Sequence, residues 1–84
     1  MALLRLNRLD EAEKSAREAL LRNPNLAQAY LVLSDAYGRR KEYLAQLQGL
    51  EAYLKLEPNG VESGNAREAR EAVQRILAKK NIEN

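Results

Sequence analysis

Few side chains in this 84-residue chain could do covalent chemistry, because it contains no histidine and no cysteine. Histidine is the most frequent general base and metal ligand in proteins, and cysteine supplies thiolates and disulfides. The serines Ser15, Ser34 and Ser63 stand outside any Gly-x-Ser-x-Gly sequence, and no histidine is present to activate them. The sequence therefore does not predict nucleophilic catalysis.

The carboxylates are the remaining candidates for acid–base chemistry. Catalysis by two carboxylates requires that their environments differ. Glu68 and Glu71 can share one face of a helix, but they lie among the arginines Arg67, Arg70 and Arg75. The sequence also contains no phosphate-binding glycine loop and no calcium-loop spacing. We therefore expect no enzyme activity, no cofactor and no bound metal.

Charge and hydropathy limit the class of partner. The formal net charge is +2, from 14 basic and 12 acidic residues that are mixed along the chain. Such a small positive surplus does not by itself predict binding to nucleic acid or to anionic lipid. No apolar run approaches the roughly 18 residues that a membrane span requires. We expect no membrane partner and take the cytoplasm as the default location, since the sequence does not specify a compartment.

The elements that position these residues follow a repeat. Pro24-Asn25 and Pro58-Asn59 are 34 positions apart (58 − 24 = 34), and apolar or small residues recur in the same register around each. A period of about 34 residues is typical of a helix–turn–helix repeat unit. The sequence therefore predicts a single all-α domain, with a truncated first unit at 1–26, a complete unit at 27–60, and a capping helix with a tail at 61–84.

Apolar residues three and four apart predict four amphipathic helices, over 9–21, 26–39, 42–56 and 66–80. We expect the apolar stripe of each helix to be buried. The stripes are, in order: Leu9, Ala12, Ala16, Ala19 and Leu20; Tyr30, Leu33 and Tyr37; Tyr43, Leu47, Leu50 and Leu54; and Ala66, Ala69, Val73, Ile76 and Leu77. Asn25 is the expected N-cap of the second helix, and Asn65 with Glu68 is the expected capping box of the fourth.

The complete unit resembles the tetratricopeptide repeat family. The resemblance rests on large, small and terminating residues at the family's positions: Tyr30, Leu33, Ser34, Tyr37, Tyr43, Leu50 and Pro58. It extends over about 3–60 and implies antiparallel helix pairs, here a fragment of a superhelix closed by a C-terminal capping helix. The polar outer face of the last helix fits such a cap.

The chain departs from the family at several positions. The family usually has alanine where Gln46 and Tyr53 stand. It also commonly has a left-handed glycine in the turn inside each unit, where this chain has Asn7 and Lys41. Asparagine adopts that conformation readily, whereas a lysine held there costs about 1 kcal/mol or more. We therefore expect a turn at Asn7, and an early end of the second helix at Gly38.

In proteins that resemble this one, the first helix of each unit lines a concave groove that takes an extended peptide or a partner helix. Carried over to this chain, the groove residues are Gln28, Leu31, Asp35, Gly38 and Arg39. Leu31 lies off the buried stripe and is expected to be an exposed apolar contact. Because the family's lysine and asparagine clamp for acidic tails is missing, we expect a ligand with a basic residue beside an apolar anchor. The resemblance thus implies a protein–protein interaction scaffold.

Two other functions stay open on the sequence alone. The truncated first unit leaves Leu3, Leu6 and the flank of the following helix uncovered, so this edge could join two copies of the chain or take a neighbouring repeat. The chain would then be a structural or assembly element. The basic cluster Arg39-Arg40-Lys41 and the basic residues of the last helix suggest nucleic-acid binding less strongly, because no aromatic residue is interleaved for base stacking.

Overall fold

The computed structural model describes the backbone of residues 2–83 and the side chains of residues 8–80, and this part of the chain is all α-helical. Four helices follow one another: α1 (Ala2–Arg22), α2 (Ala27–Arg39), α3 (Tyr43–Leu56) and α4 (Ser63–Glu83). The stack measures 39 × 36 × 20 Å. Since a helix with its side chains is about 10–12 Å wide, a thickness of 20 Å corresponds to two layers of helices. No helix within residues 2–83 has the length and apolar content of a membrane span.

α1 is longer than the sequence predicted. It runs unbroken from Ala2 through Asn7 to Arg22, so the expected turn at Asn7 is wrong. The segment contains no glycine and no proline, and nothing in it interrupts the ladder of backbone hydrogen bonds. The side chains of Leu3 and Leu6, part of the predicted uncovered edge, lie outside the described residues.

α2 begins without a side-chain cap. Leu26 occupies the N-cap position and makes no capping hydrogen bond through its side chain. The backbone N–H of Asn25 donates instead to the side-chain oxygen of Asn23, at 3.1 Å, and the N–H of Leu26 donates to the Asn23 carbonyl, also at 3.1 Å. The prediction that Asn25 caps α2 was therefore wrong, because Asn23 organises the turn around Pro24.

α2 ends in a Schellman turn with a lysine at the left-handed position. The φ of Lys41 is 62°. Its N–H donates to the carbonyl of Gly38 at 3.0 Å, and the N–H of Glu42 donates to the carbonyl of Tyr37 at 2.9 Å, which are the two hydrogen bonds of this motif. Gly38 lies inside the helix, which continues to Arg39, so the expected early end at Gly38 is wrong.

α4 begins at Ser63, three residues before the predicted start. Ser63 is almost completely buried, at 1% exposure. Its hydroxyl accepts a hydrogen bond from the N–H of Gly60 at 2.8 Å and donates to the carbonyl of Glu57, which ties the end of α3 to the start of α4. Asn65 therefore lies within the helix, where its amide donates to Glu62 at 3.3 Å, and the predicted capping box is not formed.

Two apolar clusters lie on different sides of α2. The larger joins α2, α3 and α4; its buried members are Leu50, Tyr53, Leu54, Ala66 and Val73, and the half-buried residues packed on them are Ala27, Tyr30, Leu31, Tyr43, Leu47, Ala69 and Leu77. The smaller joins α1 to α2 and contains Ala16, Ala29 and Leu33, with Leu20 and Tyr37 against them. The predicted stripes thus supply most of both clusters.

Gly49 allows α2 and α3 to approach closely, which the sequence did not indicate. A Cβ at this position would lie 3.2 Å from the Cβ of Ser34 and 3.2 Å from the carbonyl oxygen of Tyr30. Ser34 is itself buried, and its hydroxyl donates to the carbonyl of Leu31 at 2.9 Å. The small pair Ser34 and Gly49 therefore fixes how α3, and through it α4, is placed against α2.

Candidate functional site

An open cleft lies between α2 and α4. Both helices pack on α3, and the space between them stays open. The cleft has a volume of about 410 Å³, which is within the range of ligand-binding sites. Its lining comes from α2 (Asp35, Gly38 and Arg39), from α3 (Tyr43 and Gln46) and from α4 (Ala69, Ala72, Val73 and Ile76).

The α4 side of the cleft is apolar. Its lining residues are three and four positions apart, so they form one stripe along the helix. Val73 is buried against the larger cluster, Ala69 and Ile76 are half-buried, and Ala72 is exposed. The stripe therefore turns one flank into the core and leaves the other flank, at Ala72, open to a ligand.

The α2 side of the cleft carries an ion pair. Arg39 Nε lies 3.1 Å from Asp35 Oδ2, and the two side chains are 63% and 64% exposed. A pair this exposed contributes only about 0.2–1 kcal/mol to stability, so a ligand can replace either partner at little cost. Because Asp35 already has a cationic partner, the reason for expecting a basic residue in the ligand is weaker than the sequence suggested.

Gly38 makes room in the wall of the cleft, and Lys80 contacts Tyr43, one of the lining residues. A Cβ at Gly38 would lie 2.5 Å from Nε2 of Gln46, so the glycine makes room for the Gln46 amide in the cleft wall. The ammonium of Lys80 lies 5.1 Å from the centroid of the Tyr43 ring, within the range of a cation–π contact. The cleft thus combines an apolar strip with an amide, an aromatic ring and the Asp35–Arg39 ion pair, and Lys80 lies next to it, against Tyr43.

Three of the five groove residues predicted from the sequence line this cleft, namely Asp35, Gly38 and Arg39. Gln28 is exposed at the other end of α2, where it lines two other depressions. Leu31 is half-buried and packs into the larger cluster, so the expectation that it is an exposed anchor is wrong. α4 lies on the side of α2 that carries Leu31, and this neighbour could not be read from the periodicity of α2.

Sequence reasoning missed the contribution of α3 and α4 to the cleft. Tyr43, Ala69, Val73 and Ile76 were expected in the core, Gln46 appeared only as a departure from the family pattern, and Ala72 had no predicted role. The only available signal was the spacing of Ala69, Ala72 and Ile76 along one flank of α4. That signal does not distinguish a buried stripe from a half-open one.

A second apolar groove follows the contact between α1 and α2. It has a volume of about 340 Å³. Its lining residues are Ala12, Ser15, Ala16, Ala19, Leu26, Gln28, Ala29 and Val32. Leu26 and Val32 are each 40% exposed. This groove borders α2, so the flank that the sequence predicted to be uncovered by the truncated first unit stays a prediction.

A cluster of charged residues also joins α1 to α2. The guanidinium of Arg40 donates to the carboxylates of Asp10 and Glu13, and Arg17 Nε lies 2.8 Å from Glu13 Oε2. The hydrogen bond from Arg40 is the main cause that lowers the pKa of Glu13 below its ordinary value; burial acts in the opposite direction, and Arg17 adds to the lowering. Arg17 also donates to the hydroxyl of Tyr37.

The ion pairs of Arg39 and Arg40 weaken the interpretation of Arg39-Arg40-Lys41 as a nucleic-acid-binding patch. Arg39 is paired with Asp35, and Arg40 is paired with Asp10 and Glu13. Two of the three cations are thus partly neutralised by carboxylates within the chain. Backbone phosphates would have to compete with those carboxylates, which weakens the electrostatic attraction.

The cleft contains few polar groups. Its single carboxylate, Asp35, is held by Arg39, and its other polar groups are an amide and a phenol. Among the described side chains, no group of three acidic residues is placed to hold a metal ion. Comparison with protein-family models, with curated proteins and with solved structures gives no match. Function must therefore be inferred from the fold and its surfaces.

Proposed function

We propose that this chain is a protein–protein interaction scaffold, similar to a short tetratricopeptide-type stack, that holds a peptide or a partner helix in the cleft between α2 and α4. The observation that carries the proposal is the open apolar strip of α4 facing the ion pair of α2. A surface with apolar contacts and a polar rim is typical of peptide-binding grooves.

The repeat pattern supports the scaffold part of the proposal. The proposed complete unit, 27–60, contains α2 and α3, which pack on each other. In addition, α2 packs on α1 and α3 packs on α4. Such units stack in a row and share apolar surface with their neighbours, which leaves one face of the row free for a ligand. In this assignment 1–26 is a partial first unit and 61–84 is the capping helix.

The ligand expected from the cleft has one apolar side chain beside a polar group. The strip at Ala69, Ala72 and Ile76 would take the apolar side chain, and small alanines allow a backbone or a bulky residue to approach. The Gln46 amide and the exposed Asp35–Arg39 pair would orient polar groups of the ligand. The proposed scaffold needs no catalytic group and no cofactor.

The proposal is tested with two matched variants of α4. Ala72 and Ala78 are both exposed alanines of this helix, but only Ala72 lines the cleft. Peptides are selected from a random displayed library on the wild-type chain and are then titrated against Ala72→Glu and Ala78→Glu. We expect Ala72→Glu to weaken binding at least about tenfold, since it places a charge on the apolar strip, and Ala78→Glu to bind like the wild type. Circular dichroism checks that both variants stay helical.

Two outcomes would contradict the proposal. One is that no peptide is enriched over a blank surface, and the other is that the selected peptides bind all three proteins equally. Leu31→Glu is not suitable for this test. It would place a charge beside the larger cluster, and a loss of binding could not be separated from a loss of stability.

The α1–α2 groove favours one alternative, in which the chain is an assembly element that uses its edge. The exposed Leu26 and Val32 on this groove are the observation behind it. Val32→Glu separates the two functions, because Val32 lines this groove and not the cleft. Sedimentation equilibrium of the wild type that shows self-association, abolished by Val32→Glu but not by Ala72→Glu, would support assembly. A monomer at millimolar concentration would count against self-assembly through this edge.

A further inference from the structure

We infer that α1 is a detachable helix, held on the body of α2, α3 and α4 by an ionic latch that joins Glu13 to Arg40, and that it separates as a unit while the body stays folded. This inference concerns a conformational property of the chain and does not depend on what the cleft binds. It rests on the unequal size of the two apolar clusters and on the geometry of the charged cluster.

Among the described side chains, those of residues 8–80, the apolar contact that holds α1 is small, with only Leu20 and Tyr37 half-buried against its buried members. The buried members of the α1–α2 cluster are two alanines and one leucine: Ala16, Ala29 and Leu33. The cluster that holds the body contains Leu50, Tyr53, Leu54, Ala66 and Val73, supported by seven half-buried residues. Since hydrophobic stabilisation scales with the apolar area buried, α1 is attached far less firmly than α4. Elements with few buried apolar contacts are the ones that open first.

Charge-assisted hydrogen bonds supply much of the remaining attachment. The carboxylate of Glu13 accepts hydrogen bonds from Arg17 of α1 and from Arg40 at the C-cap of α2. Arg40 also donates to the carboxylate of Asp10. The side chains of Glu13 and Arg40 are only 18% and 22% exposed. Hydrogen bonds between ionised groups that are partly shielded from water are stronger than exposed surface pairs. Breaking this latch therefore removes a substantial share of what holds α1.

The latch should respond to acid and to salt. Within the described residues α1 packs only on α2. The charged and titratable groups that face Glu13 are therefore Asp10 and Arg17 of α1 and Tyr37 and Arg40 of α2. Because the pKa of Glu13 is lowered from 4.5 in the folded chain, its stabilising effect is complete above pH 4.5 and is lost as the pH falls through the folded value. Salt at about 1 M shortens the screening length to about 3 Å and weakens the same contacts at neutral pH.

Separation of α1 would change the surface that α2 offers. Ala29 and Leu33 are 5% and 8% exposed while α1 is in place. Both face α1, next to Val32, which is already exposed. Opening the latch would thus join these residues into one apolar strip along α2, next to the depression that Leu33 shares with Ala45 and Gly49 of α3.

Hydrogen exchange measured by NMR tests the latch. Amides of 9–22 in α1 are compared with amides of 66–80 in α4, for the wild type, for Glu13→Gln and for Glu11→Gln. Glu11 is an exposed acidic residue of the same helix and lies outside the charged cluster, so Glu11→Gln is the matched control. At pH 7 we expect Glu13→Gln to accelerate exchange in α1 about tenfold, with a change in α4 below about twofold, and Glu11→Gln to behave like the wild type.

The wild type gives an independent result that requires no variant. In 1 M NaCl, and progressively as the pH is lowered below 4.5, after correction for the intrinsic rate, exchange in α1 should accelerate while exchange in α4 does not. The inference is overturned if α1 and α4 accelerate by the same factor, because the chain then unfolds as one unit. It is also overturned if Glu13→Gln leaves α1 unchanged, or if Glu11→Gln accelerates α1 equally.

Discussion

Lys41 offers the sharpest test of the backbone geometry. It holds a φ of 62° in the turn between α2 and α3, a conformation in which the Cβ of an L-residue is crowded. Holding an L-residue there costs about 1–2 kcal/mol, and glycine avoids this cost. Glycine in turn loses about 0.5–1 kcal/mol more conformational entropy on folding. We therefore expect Lys41→Gly to raise the free energy of unfolding by about 0.5–1 kcal/mol.

Thermal unfolding followed by circular dichroism measures this gain. An unfolding entropy of about 2.1 cal/mol/K per residue gives about 180 cal/mol/K for 84 residues, so the expected rise in Tm is about 3–6 °C. Lys41→Ala is the matched control, because it removes the same charge and keeps the Cβ. It should melt at or below the temperature of the wild type. If the glycine and alanine variants melt at the same temperature, the left-handed conformation of Lys41 is refuted.

Three further substitutions test stability and are checked by urea unfolding. Gly49→Val should lower the free energy of unfolding by about 1–3 kcal/mol, because even a Cβ would lie 3.2 Å from the Tyr30 carbonyl oxygen. Gly64→Ala should raise the free energy of unfolding by up to about 1 kcal/mol, because its Cβ would meet no atom within 4 Å. Equal effects at the two glycines would contradict the close approach of α2 and α3. Ser63→Ala should lower the free energy of unfolding by about 1–2 kcal/mol, since the Gly60 N–H and the carbonyl of Glu57 would lose their hydrogen-bond partner. An unchanged urea midpoint would show that this hydroxyl does not join α3 to α4.

The interior of each helix and, to within one residue, both ends of α2 and α3 could be predicted from the sequence, whereas the starts of α1 and α4 could not. Periodicity reports which residues of one helix share a face, and Leu33, Leu50 and Val73 are buried as their spacing indicated. The start of α4 depends on the hydroxyl of Ser63, which bridges to the end of α3. That contact exists only once two helices are placed, and the local sequence pattern by itself favours a cap at Asn65 instead.

The turn positions and the cleft show the same limit. Local preference disfavours Lys41 in a left-handed conformation, but the close packing of Ser34 on Gly49 sets α3 close behind α2 and requires a short turn there. Leu31 lies outside the stripe of its own helix and is nevertheless half-buried. The buried members of the cluster that covers Leu31 come from α3 and α4, at least 19 positions further along the sequence (50 − 31 = 19), so no local pattern could reveal the contact.

The central claim is that the cleft between α2 and α4 is the surface that holds a partner. Amide and methyl chemical-shift mapping on the labelled chain, titrated with a peptide selected on the wild type, tests it most directly. The account predicts that the largest shifts cluster at Asp35, Gly38, Ala72 and Ile76, with little change along the α1–α2 groove. Shifts concentrated at Ala12, Ala16 and Val32 instead, or spread evenly over the four helices, would contradict it.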